Sequence, residues 1–172
     1  PISKDYFYDL KFAKGLLQRL SKMRWFSFLK MQKKVAKHIN TVVTPSLNSK
    51  QDIHQDFKVP ISNIQVIPNG IDFDTFCSLP NIVPRAHSVI TTASADVPLK
   101  GLDFSLHAIA RLKSEYSDIK LTVIGSPRPG GHTERLIKKL KLVNQVFFKT
   151  NLTKAEITHE YAKSAVAIVS SL

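Results

Sequence analysis

The chain has 172 residues, 43% of them hydrophobic, which is enough for one large domain or two small ones with a real core. It contains no apolar run near the ~20 residues that cross a bilayer, no signal-peptide pattern, and one cysteine, Cys77, so an internal disulfide is excluded and nothing resembles a zinc cluster. The formal net charge is +12, concentrated in residues 1–40, where ten Lys/Arg stand against Asp5 and Asp9. Such a balance suits an anionic partner (nucleic acid, anionic lipid headgroups or a phosphorylated substrate) or, equally, a solvated helix face. The single cysteine fits a reducing compartment. The chain opens on Pro1 rather than Met and stops on an apolar run, so both ends are expected to be cut from something longer.

In chain order, residues 9–21 and 24–39 read as two helices. In the second, Phe28, Met31, Val35 and Ile39 form an apolar stripe at helical spacing, with Lys30, Lys33, Lys34 and Lys37 largely off it. "NTVVTPS" (40–46) reads as a short buried strand, and Ser46 as the N-cap of a helix over 47–57. A strand from Ile64 to Ile67 is closed by Pro68-Asn69-Gly70, a turn signal. Residues 77–87 hold two prolines and no periodicity and read as a linker.

The pattern then restarts. Ser88–Ala93 is a strand; 101–116 is a helix with Leu102, Leu106, Ile109 and Leu112 on one face; 119–125 is a strand; "SPRPGGH" is a loop. A helix over 133–142, a strand over 145–149, a helix over 153–164 and a strand over 166–171 follow. Thr153 with Glu156 three residues on is a capping box. This alternation predicts α/β architecture with parallel sheets, the strands buried on both faces. Domain limits are expected at 1–80 and 88–172, with a linker over 81–87.

Ligands of such sheets sit at the carboxyl ends of the strands, which selects the loops 68–72, 94–101, 125–132 and 149–153. Lys100-Gly101 falls where a strand hands over to a helix. A helix start offers free N–H groups and a positive dipole end, lysine adds a full charge, and glycine admits close approach. In isolation the same pair also reads as a solvent-facing lysine beside a glycine of convenience, and Walker A spacing is absent. "GSPRPGG", with Gly125, Pro127 and Arg128, suits a phosphate or sugar cradle or an ordinary turn. Asn151 in "KTNLT" suits contact with a planar base or a turn before a capped helix. His38, His54 and His132 have no evident nucleophile or carboxylate partners in the sequence pattern, and no metal motif is found.

Several stretches together resemble a known family. "TVVTPSLNSKQDIHQDFKVPISNIQVIPNGIDFDTF" is similar to the end of the N-terminal domain of family 4 retaining glycosyltransferases. "VITTASADVPLKGL", "KLTVIGSPRPGG" and "VFFKTNLTKAEITHEYAKSAVAIVSSL" resemble the first half of their C-terminal, nucleotide-binding domain, and "RWFSFLKMQKKVAKHI" resembles a helix of one bacterial branch. The resemblance implies the GT-B fold, two Rossmann-like domains across a cleft, and metal-independent transfer of a sugar from a UDP-, GDP- or ADP-linked donor to a glycan or lipid-linked acceptor with retention.

Carried over, Lys100 contacts the donor diphosphate beside Gly101, Ser94 and Asp96. Gly125 with the Pro127–Arg128 loop lines the donor site, Asn151 and Leu152 lie near the base, and Asn69-Gly70 sits at the hinge side of the cleft. The family's Gly-Arg pair before the lysine is replaced here by Ser94 and Ala95, and its paired glutamates fall beyond Leu172. A fragment of this kind is expected to be inactive alone, with no catalytic residue, no metal and no cofactor. The resemblance places it in the cytoplasm, where basic residues 1–40, with Trp25, Phe26 and Phe28, can rest on a membrane face. The readings from other classes are a basic nucleic-acid-binding α/β module, against which stands the absence of RRM or KH signatures, and a non-catalytic partner domain.

Overall fold

A computed structural model describes residues 15–93 and 96–171; of Trp25 and Pro98 it describes the backbone. Contacts divide the chain into two units, with the division between Ile71 and Asp72.

In the first unit, α1 runs Leu16–Ala36 without interruption. The break expected near residue 22 does not occur, because "SKMRW" holds only residues that helices accept and neither Gly nor Pro. The expected stripe is not core among the described residues: Phe28 is 59% exposed and Val35 54%, and Ile39 lies past the helix end. Lys33 covers the Phe57 ring instead, its Nζ 5.8 Å from the centroid. Strand β1 (Val42–Thr44) pairs in parallel with β2 (Ile64–Val66), Val42 opposite Ile64. Between them α2 (Leu47–Phe57) starts as expected, the Ser46 hydroxyl accepting the Ser49 amide at 3.1 Å. It ends with Lys58 in the left-handed region and the His54 Nδ1 donating to the Val59 carbonyl at 2.7 Å. His54 is therefore a structural residue.

In the second unit β3 (Arg85–Thr92), β4 (Lys120–Ile124), β5 (Val146–Lys149) and β6 (Ser164–Ile168) form one parallel sheet in the order β5-β4-β3-β6. The residues that lead into β3 are tied to the second unit. Asp72 makes an Asx turn with Thr75 (2.7 Å to its hydroxyl), Thr75 accepts from buried Thr158 at 3.0 Å, and β3 already begins at Arg85.

Helices α3 (Leu102–Leu112) and α4 (His132–Lys139) bury Leu102, Leu106, Ile109, Leu136 and Ile137 against Val89, Leu121 and Val123. Helix α5 (Lys154–Ala162) carries the expected capping box, Thr153 and Glu156 exchanging bonds, but adds nothing to that cluster. Burial on both faces of every strand is accordingly not found: Val166 in β6 is 53% exposed. α4 stops before residue 142 because Lys141 turns left-handed (φ 56°) and Leu142 donates back to Ile137 at 2.9 Å, burying Leu142.

Candidate functional site

In the second unit the carboxyl ends of β3, β4 and β5 carry the loops 94–101, 125–132 and 149–153, and strand order ranks them. From β3 the chain steps outward to β4 and β5, then returns to the opposite side of β3 for β6. The strand order thus reverses between β3 and β6, the position where open α/β sheets receive ligands. Lys100 and Gly101 follow β3, while Ser170 and Ser171 follow β6. They meet. Ser105 donates to the Ser170 hydroxyl at 3.0 Å, Ser170 to the Lys100 carbonyl at 3.2 Å, and Ser171 to the Leu99 carbonyl at 3.2 Å.

Gly101 is required at this junction. It is the N-cap of α3 at φ 65°, and a Cβ there would lie 1.9 Å from the Ser170 carbonyl oxygen. The glycine's missing side chain is thus filled by the chain's own backbone. Lys100 ends a 3-10 turn, is exposed, and has no ion-pair partner among the described residues. No side chain caps α3 at Gly101. A helix start without a side-chain cap, next to an exposed lysine, carries the positive dipole end that attracts an anion.

The glycine-rich loop behaves otherwise. Asp96, itself left-handed at φ 62°, accepts the Thr133 amide on Oδ1 at 2.9 Å and the Arg128 amide on Oδ2 at 2.9 Å. Its own amide donates to the Thr133 hydroxyl at 3.2 Å. Glu134 takes the Gly130 amide at 2.8 Å, and Gly131 donates to the Arg128 carbonyl. Carboxylates of the chain thus occupy the donors that a phosphate cradle would present. Burial works to raise the Asp96 pKa, but the Thr133 and Arg128 amides outweigh it and hold the carboxyl below its ordinary value. What this loop leaves for a ligand is the exposed Arg128 side chain, with Pro127 half-buried behind it.

Gly125 closes β4 at φ 147°, where a Cβ would stand 2.4 Å from the Ala93 carbonyl oxygen, so the ends of β3 and β4 approach closely. His132 is tied to Asp103 at 2.6 Å. After β5, Asn151 is exposed and left-handed (φ 56°), with Leu152 half-buried. Lys149 is held by Glu160 at 2.7 Å; burial raises the Glu160 carboxyl, but the Lys149 bond and charge dominate and lower it. Asn69 and Gly70 are exposed residues of the first unit that follow β2, with no hydrogen-bonded turn at that point. Ser94 lies outside the described residues, as does Ala95. The sequence reading missed Ser170 and Ser171, whose only local signal is two hydroxyls following an apolar strand. Among the described residues no cluster of His, Cys, Asp or Glu can hold a metal ion. No helix there is long and apolar enough to cross a membrane.

Parallel α/β units with glycine-rich strand-end loops and a cationic turn at the switch point define a Rossmann-like protein. Residues 83–172 match the profile of Glycosyl transferases group 1, and residues 6–75 that of Glycosyltransferase Family 4. The chain belongs to the group 1 glycosyltransferase family, and its fold is of the GT-B type. It is 36% identical over all 172 residues to an MMP alpha-(1->4)-mannosyltransferase of Mycolicibacterium hassiacum, and spans 41% of that relative's length. A glycosyltransferase of Rickettsia africae is similar at 25% identity and a TM-score of 0.63, over 84% of this chain and 41% of that one. TarM of S. aureus, solved with fondaparinux, α-GlcNAc-glycerol and UDP, is similar in fold at 19% identity and a TM-score of 0.67, over 84% of this chain and 28% of that one.

Proposed function

We propose that the second unit is the donor-binding part of a retaining, metal-independent glycosyltransferase that takes a nucleotide sugar and glycosylates a carbohydrate hydroxyl. The observation that carries this reading is the meeting of Lys100-Gly101 with Ser170–Ser171 at the switch point between β3 and β6. There the Lys100 ammonium and the uncapped start of α3 receive the diphosphate. Their positive charge stabilises the diphosphate as it leaves the anomeric carbon, which is what a transferase without a metal must supply from its own groups. The Asn151–Leu152 corner takes the base. The relative's α(1→4)-mannosyl transfer supports a mannosyl donor as the first to be tried, and the UDP bound by TarM keeps uridine in the set.

The test is a calorimetric titration of GDP, UDP and ADP, free and as sugar conjugates, into the protein and into Lys100→Ala, with folding followed by circular dichroism. One nucleotide is expected to bind, and the substitution to weaken it by about 1.5–3 kcal/mol, the worth of a lost charge-assisted contact. A folded protein that binds none, or binds equally without the lysine, refutes the reading.

A further inference from the structure

Two carboxylates, Asp96 in the connection between β3 and α3 and Asp103 in the first turn of α3, grip the beginning of α4. Asp96 closes on the Arg128 and Thr133 amides at 2.9 Å each, and Asp103 reaches the His132 ring at 2.6 Å. The Asp96 amide donates a third bond to the Thr133 hydroxyl at 3.2 Å. The surroundings are shaped to this grip. Asp96 adopts the left-handed region without being glycine, a conformation that persists only when its contacts over-determine it. A Cβ on Gly131 would stand 2.6 Å from the Asp96 carboxylate and 2.7 Å from the Arg128 carbonyl oxygen, so this position must stay bare for the carboxylate to enter. Thr133 is fully buried.

We infer that Asp96 is a positioning residue, a built-in anion that clasps the 126–131 loop to the 96–101 turn so that Arg128 and Lys100 are held as one body. The clasp also keeps external phosphate from the start of α4, leaving the start of α3 as the anion-receiving end. The clasp itself stands on geometry alone; its effect on the donor rests on the function proposed above.

The experiment compares wild type, Asp96→Ala and Asp96→Asn in two measurements. Amide hydrogen exchange at Arg128 and Thr133, read by NMR, reports the clasp. It should quicken about tenfold in Asp96→Ala, and less in Asp96→Asn, which keeps one acceptor oxygen. Titration of GDP and UDP reports the donor site, and the Kd should rise about five- to tenfold in Asp96→Ala with partial recovery in Asp96→Asn. Unchanged exchange in a folded Asp96→Ala overturns the clasp. Faster exchange with unchanged Kd overturns the positioning role. If wild type binds no nucleotide, the donor reading fails, and exchange still decides the clasp. If Asp96→Ala does not fold, Asp96→Asn carries both measurements.

Discussion

Two glycines share a positive φ and differ in their surroundings, so alanine placed at each separates conformational strain from overlap. Gly101 has φ 65° and Gly130 φ 66°. At Gly130 a Cβ meets nothing within 4 Å; at Gly101 it would fall 1.9 Å from the Ser170 oxygen and 2.7 Å from the Ser170 carbonyl carbon. Alanine in the left-handed region costs about 1–2 kcal/mol, less a few tenths recovered from the stiffer unfolded chain. Gly130→Ala should therefore cost about 1 kcal/mol. Gly101→Ala adds a backbone displacement of the kind that overpacking demands, about 1–3 kcal/mol more, for a total near 2–4 kcal/mol. With a urea dependence of about 1–3 kcal/mol/M, the unfolding midpoint should fall by roughly 1–2 M for Gly101→Ala and by about half a molar unit for Gly130→Ala. The assay is equilibrium unfolding followed by circular dichroism. Equal midpoints in the two variants would refute the close approach of the strand-end serines to the start of α3.

Thr153→Ala removes the hydroxyl that accepts the Glu156 amide, leaving the Thr153 amide on the Glu156 carboxylate, and should destabilise the protein by about 1 kcal/mol in the same assay, with Thr153→Ser close to wild type. The carboxyls of Asp96 and Glu160 titrate below their ordinary values of 3.8 and 4.5, so their stabilisation is complete above those values and is lost as pH falls through the depressed ones. Thermal midpoints measured from about pH 5 downward should thus decline. The decline should be shallower in Asp96→Asn, which has no proton to take up at that position.

Much of the fold was legible because local rules act locally. Ser46 and Thr153 announce helix starts, and the apolar runs at 88–93 and 119–125 announce the central strands. Ends were less legible. Lys141 ends α4 in a conformation usually left to glycine, and it does so because Leu142 gains full burial, a tertiary reward no window of sequence displays. The signal at Pro68-Asn69-Gly70 produced no hydrogen-bonded turn; the turn forms at Asp72–Phe76, where the Asp72 carboxylate takes both the Thr75 amide and its hydroxyl.

The candidate site divides in the same way. Lys100 and the glycines stand out from the text of the chain. Asp96 does not, because its partners lie 32 and 37 residues away. Nor does the reason for Gly101, which is a backbone arriving after β6.

The central strand of the second unit also has a history written into its pairing. β3 meets β4 soon after it is made, yet its other edge waits for β6, with Thr91 and Ile168 separated by 77 positions. At a synthesis rate of ~5–20 residues per second that edge stays open for roughly 4–15 s. Over that interval a nascent chain presents the unpaired amides and carbonyls of "VITT" to any neighbour able to add a strand. The β3–β6 pairing is thus the longest-range one among the described strands, and loop closure over that span makes it slow to form. The pairing that brings Ser170 and Ser171 to the start of α3 is therefore also the one that covers the second edge of β3.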